Sequence, residues 1–156
     1  MKKFVFVTLF FAFTFLFGAN KVLACSCSTP DGGRKSLQQK VKNEFLTSAY
    51  VFSGEVIEIT KHPIYQNQII VKFKVEKIWK GKSSQEVLVT TANDSAACGY
   101  DRFIVGNKYL VYTTYGEINN LTTNICSRTN LLENNKDLKF LDNLKILWES
   151  KKPIKF

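Results

Sequence analysis

Four cysteines, at positions 25, 27, 98 and 126, follow a leader that ends directly before the first of them. Met1-Lys2-Lys3 gives a positive start, and Phe4 to Phe17 is a 14-residue run without charge that carries seven of the thirteen Phe. Val22-Leu23-Ala24 sets small or medium residues before Cys25. This three-part pattern predicts a secretory signal peptide over 1–24, and 14 residues are too few to cross a bilayer. The expected mature chain, 25–156, is one domain of 132 residues with a net charge of +6 once Lys2, Lys3 and Lys21 are removed. The expected location is secreted, extracellular or periplasmic, with no transmembrane segment after cleavage.

An even number of cysteines in an exported chain argues for two disulfides. Cys25–Cys27 would close too small a ring for an extended segment. Two pairings remain, each tying the N-terminus to both Cys98 and Cys126. Zinc would need knuckle-like spacing, and the chain has one Cys-x-Cys and no Cys-x-x-Cys. Loops of this length, closed covalently, could each contribute at most about 4–5 kcal/mol.

Ser28–Gly33 is a loop by composition. Ser36-Leu37-Gln38-Gln39 fits a capping box, with Leu37, Val41, Phe45 and Ala49 on one stripe, so a helix is expected from about 35 to 47. Tyr50–Thr60 reads as a strand with a bulge at Ser53-Gly54. In Ile69–Trp79 the apolar residues Ile69, Val71, Phe73, Val75 and Trp79 hold odd positions and Lys72, Lys74 and Glu76 even ones, which predicts one buried and one wet face. Val87–Thr91, Phe103–Val105, Tyr109–Thr114 and Leu121–Cys126 are expected strands, and Ala92–Arg102 a polar loop. Asn130 and Glu133 are expected helix caps ahead of a stripe at Leu138, Leu141, Leu144 and Trp148. Five or six strands with a helix before and after predict a small closed or partly closed barrel over an immunoglobulin-type sandwich.

Catalytic patterns are missing. The one histidine, His62, precedes Pro63 in a turn, and no Gly-x-Ser-x-Gly, His-Glu-x-x-His or phosphate-cradling loop occurs. Glu55 and Glu58 fall on opposite strand faces. With oxidised cysteines there is no nucleophilic thiol, so the chain reads as a binder, not an enzyme, and needs no cofactor. The charge raises nucleic acid as a partner, but export argues against it, and Lys72, Lys74, Lys77, Lys80 and Lys82 read as a wet strand face.

The mature start is the distinctive element. Two disulfides would immobilise Cys25-Ser26-Cys27, and an α-amine with a reference pKa of about 7.7–8.0 is partly neutral at physiological pH. With the Cys25 carbonyl it forms a five-membered chelate that could displace water from another protein's catalytic zinc.

Cys25-Ser26-Cys27, Phe45…Ala49…Val51-Phe52-Ser53-Gly54-Glu55-Val56, Ile78-Trp79-Lys80-Gly81, Ser95-Ala96-Ala97-Cys98-Gly99-Tyr100, Gly106-Asn107-Lys108-Tyr109-Leu110 and Cys126 together resemble the N-terminal, netrin-like domain of the tissue inhibitors of metalloproteinases. The likeness covers essentially the whole mature chain, and with the Lys- and Asn-rich composition a bacterial relative is expected. It implies an all-β, five-stranded OB-fold-like closed barrel with flanking α-helices, and the pairing Cys25–Cys98 and Cys27–Cys126. It further implies that Cys25 ligates the zinc of a metalloproteinase in trans and that Ser26 enters the protease's specificity pocket. Cys25, Ser26, Cys27, Ser28, Thr29 and Pro30 with Ser95, Ala96, Ala97 and Cys98 would form the inhibitory ridge. The animal inhibitors carry a third disulfide in this domain, which this chain lacks. Two alternatives accompany this expectation: a lipid anchor on Cys25, since Val22-Leu23-Ala24-Cys25 approximates a lipoprotein site, and a non-inhibitory netrin-like module that binds an anionic surface or protein partner.

Overall fold

A computed structural model of the chain describes residues 25–28 and 34–150. The expected leader, Thr29 and Pro30 of the expected ridge, and the tail 151–156 lie outside the described residues.

The first helix, α1 (Leu37–Thr47), starts where the sequence predicts it. The Ser36 hydroxyl accepts from the Gln39 N–H at 3.3 Å, and the Gln39 side chain accepts from the Ser36 N–H at 3.0 Å. Two otherwise unpartnered donors of the first turn are thereby satisfied. Val41 and Phe45 form the buried stripe.

Four longer strands follow, β1 (Tyr50–Lys61), β2 (Gln68–Lys80), β3 (Glu86–Ala92) and β4 (Lys108–Tyr115), then the short β5 (Leu121–Thr122) and β6 (Asn130–Leu131). β1 pairs antiparallel with both β2 and β4. β2 pairs with β3, β3 lies parallel to β5 at Thr90↔Thr122, and β5 pairs back onto β4. The pairings therefore close a ring of five strands, β1-β2-β3-β5-β4, with β6 added beside β4. Closing the sheet on itself demands bending, and the register of β1 slips at Val51/Phe52, Ser53/Gly54 and Val56/Glu58. The predicted bulge is the second of these. A Cβ on Gly54 would stand 2.7 Å from the Lys74 carbonyl oxygen, so the close approach of β2 requires glycine there.

Two cores flank β1 and β4. Phe52, Val56, Val71, Phe73, Val89, Tyr109 and Val111 belong to the first. Phe73 meets the rings of Phe52 and Phe103 edge-on at 5.4 and 5.3 Å. Val41, Phe45, Val51, Trp79, Leu110, Tyr112 and Leu141 form the second, between sheet and helices. Neighbours Val51 and Phe52, like Leu110 and Val111, point into opposite cores, so β1 and β4 are apolar on both faces instead of alternating.

The predicted alternation of β2 holds from Ile69 through Val71 and Phe73 to Val75, all packed on the first core, and then breaks. Slips opposite Phe52 and Ser53 turn Lys77 outward, place Ile78 against the first core and send Trp79 into the second. The second helix, α2 (Leu138–Ser150), lays its expected stripe of Leu138, Leu141, Leu144 and Trp148 on that second core.

Three expectations fail. Phe103–Val105 is not a strand: Phe103 is buried, but Ile104 and Val105 are exposed and none of the three pairs in a ladder with a described strand. The Tyr109 hydroxyl holds this segment instead, accepting from the Ile104 N–H at 3.0 Å and donating to the Arg102 carbonyl at 2.8 Å. The strand expected over Leu121–Cys126 ends at Thr122, because Asn124 turns the chain by accepting from the N–H groups of Cys126 and Ser127 at 2.9 and 3.0 Å. Asn130 and Glu133 cap no helix. Asn130 lies in β6, where pairing to β4 offers its backbone a ladder, and α2 begins five residues after Glu133.

Candidate functional site: the disulfide-held N-terminal segment

Both disulfides join the pairs that the resemblance implies. Cys25 bonds Cys98, with Cα atoms 5.1 Å apart, and Cys27 bonds Cys126, with Cα atoms 5.2 Å apart. No cysteine is free among the described residues. The first bridge uses the Cys25 sulfur, which a lipid anchor would also need, so the two modifications exclude each other.

The loop that receives Cys25 is built from its own polar groups. Asp94 accepts from the Ala97 N–H through its side chain at 2.7 Å and from the Gly99 N–H through its carbonyl at 2.8 Å. The Ser95 carbonyl accepts from the Cys98 N–H at 3.1 Å. This tight wrap leaves Cys98 at φ 64°, in the left-handed region that a non-glycine residue seldom adopts. Gly99 then passes so close to β3 that an added Cβ would lie 2.0 Å from the Ala92 oxygen. The Asn93 N–H donates to the Asn67 carbonyl at 2.9 Å, tying the loop to the β1–β2 turn.

The second acceptor, Cys126, is brought alongside by the Ile125 N–H, which donates to the Cys98 carbonyl at 3.1 Å. One backbone hydrogen bond thus couples the seats of the two bridges. The Cys25 nitrogen lies 3.3 Å from the Ala96 carbonyl oxygen. Cys25 and Cys98 are half-buried, whereas Ser26, Cys27, Ser28, Ser95, Ala96 and Ala97 are exposed. The described members of the expected ridge are therefore gathered at one place, presenting short polar or methyl side chains on a backbone fixed by sulfur.

The lysine face departs from its reading. Lys72 pairs with Glu86 and Lys77 with Asp142, both at 2.7 Å. Lys80 is buried, a correction to its expected place on a wet face. Its ammonium donates to the Phe45 and Leu46 carbonyls at 2.9 and 2.8 Å and lies 4.4 Å from the Trp148 ring centre. It therefore caps the end of α1, where free carbonyls carry negative partial charge, and burial pushes its pKa below the usual lysine value. Nothing in Lys-Gly-Lys-Ser-Ser signals this, since the carbonyls it meets lie about 35 residues earlier.

A second polar cluster also escaped sequence reasoning. Arg128 grips the buried Asp137 with Nε and Nη2 at 2.7 and 2.6 Å, and the Tyr112 hydroxyl donates to the same carboxylate at 3.1 Å. Burial first, then the Asp137 charge, pushes the Tyr112 phenol far above its ordinary value, while the Asp137 hydrogen bond raises Arg128. Burial also raises Glu44, against the opposing pull of Arg128. These groups lock the segment after Cys126 to α1 and α2.

His62 organises its own turn: Nδ1 accepts from the Ile64 and Tyr65 N–H groups at 3.2 and 3.1 Å. Among the described residues no His, Cys, Asp and Glu side chains group so as to hold a metal ion. No described helix is long and apolar enough to cross a membrane. Compared with protein-family models and with curated proteins, the chain matches none.

Proposed function

We propose that this chain is a secreted inhibitor of zinc metalloendopeptidases, built on a netrin-like, OB-type closed barrel. In this reading it acts through the amine and carbonyl of Cys25 once the leader is removed. The observation that carries it is the pair of bridges that pins Cys25 and Cys27 beside an exposed Ser95–Ala97 loop. A terminus is ordinarily the loosest part of a domain; one held twice by sulfur has little ordering cost left for binding. The ring of five strands supports the barrel, since an OB-type module needs five strands that close on themselves.

The chemistry follows from the mature terminus. A neutral amine and the adjacent carbonyl oxygen present two ligands to a zinc ion that keeps one position open for water. The zinc belongs to the protease and reaches this chain only in the complex. Ser26 extends from the chelating residue toward the protease's specificity pocket, and Ser28 and the Ser95–Cys98 loop extend the contact on either side.

The test is a chain that begins Ala-Cys25. Inhibition of a metalloproteinase panel disappears while the melting temperature is unchanged; undiminished inhibition would overturn the chelate. Intact mass of the exported protein gives a second check: a start at Cys25, no lipid, and four hydrogens missing for two disulfides. An anionic-surface module is the weaker reading, because Lys72, Lys77 and Lys80 already have partners within the fold.

A further inference from the structure

Beside the Cys27–Cys126 bridge lies a cleft of about 330 Å³ whose walls include Tyr100, Arg102, Cys126, Ser127, Arg128 and Asn130. Two arginines line it and no acidic side chain does; Asp101, next in the chain, is not among its walls. Arg102 is exposed, and its guanidinium has no hydrogen bond or ion pair among the described residues. Arg128 is held rigidly by Asp137 through Nε and Nη2, while its Nη1 has no partner among the described residues.

Tyr100 supplies the second, independent sign. Only 6 % of it is exposed, and its N–H donates to the Thr91 hydroxyl, yet its own hydroxyl has no hydrogen-bond partner among the described residues. A buried phenol ordinarily finds one. Burial, and then the neighbouring Tyr109 phenol, raise its pKa, and the Arg102 charge opposes that rise. Three side chains that line this cleft thus carry donors without an acceptor among the described residues: the Tyr100 hydroxyl, the Arg102 guanidinium and the Arg128 Nη1. Guanidinium forks match planar carboxylates best.

We propose that this cleft is an oxyanion site that takes the carboxylate of an acidic side chain on a protein seated at the adjoining ridge. The identity of that protein as a metalloproteinase rests on the inhibitory reading above; the carboxylate chemistry does not.

The first arm follows the Nε–Hε resonances of Arg102 and Arg128 in the full processed chain as sodium acetate is added, against sodium chloride at matched ionic strength. Acetate shifts both resonances saturably and chloride does not. Loss of a hydrogen bond to a charged group gives a dissociation constant raised about tenfold or more in Arg102→Gln. Tyr100→Phe weakens acetate by about threefold, as loss of one modest hydrogen bond requires, and leaves the amide spectrum of β1–β4 in place. Equal response to chloride, no saturation, or an unaltered Arg102→Gln titration overturns the site.

The second arm measures Arg102→Gln against a metalloproteinase that the unmodified chain inhibits, where the inhibition constant rises about tenfold. An unchanged constant with the acetate response intact overturns the partner's carboxylate and assigns the cleft to a free one. A panel on which the unmodified chain inhibits nothing overturns the ridge reading instead, and the acetate arm then decides the cleft alone.

Discussion

Two regions of this molecule are held by opposite means. At the helix-covered face, Phe45, Trp79, Leu110, Tyr112 and Leu141 are buried together, so packing and exclusion of water fix the geometry. At the ridge, Ser26, Cys27, Ser28, Ser95, Ala96 and Ala97 are exposed, and none of them belongs to either apolar cluster. There the order comes from two sulfur bridges and a few backbone hydrogen bonds. On the inhibitory reading proposed above a partner covers this surface, and a surface so covered cannot also be buried in its own core. Covalent fixation solves that conflict, and the contrast can be broken from either side.

The largest effect is expected from Trp79→Ala. It removes a ring from the second core and the 2.7 Å bond from Nε1 to Asp142, and costs about 3–5 kcal/mol in urea denaturation. A midpoint that moves little would mean that α2 is not anchored by this ring. Next comes Cys27→Ser with Cys126→Ser, at about 2–5 kcal/mol. Here amide exchange should quicken at Cys98 and Ile125 while Val51 and Leu110 stay protected; uniform loss of protection would show that the ridge and the core are one unit. Lys80→Met leaves the Phe45 and Leu46 carbonyls without their donor and is expected to cost about 1–3 kcal/mol, with faster exchange confined to α1. The smallest change, about 1 kcal/mol, is Ser36→Ala, which opens the capping box and leaves the ridge untouched.

What could be read beforehand was what depends on near neighbours. The capping box of α1, the stripe of α2 and the first half of β2 each declare themselves within a few residues. Phe103-Ile104-Val105 has strand composition, but a strand also needs a partner, and the Tyr109 hydroxyl satisfies that backbone instead. Asn130 has the chemistry of a cap, yet a free edge of β4 stands closer than any helix start. The Lys80 ammonium and the Arg128–Asp137 grip are fixed by contacts across the fold, so no local pattern announces them. Spacing alone left two disulfide pairings open. The cleft of Arg102 and Tyr100 likewise arises only when the loop after Cys98 meets the segment after Cys126.

Lys80 also sets a rule for which changes in length the chain can accept. Its position on the last residue of β2 decides where α1 must stop, because the ammonium meets two particular carbonyls while Phe45 enters the core. One extra residue inside α1 would rotate everything after it by about 100° and carry both carbonyls away. The tip of the turn between β1 and β2 keeps only local contacts, such as the two hydrogen bonds that His62 Nδ1 accepts, and Pro63, Ile64, Tyr65 and Gln66 are exposed. Insertions and deletions are therefore expected to accumulate at that turn and to be purged from the helix, although both stand at the surface of the same small domain.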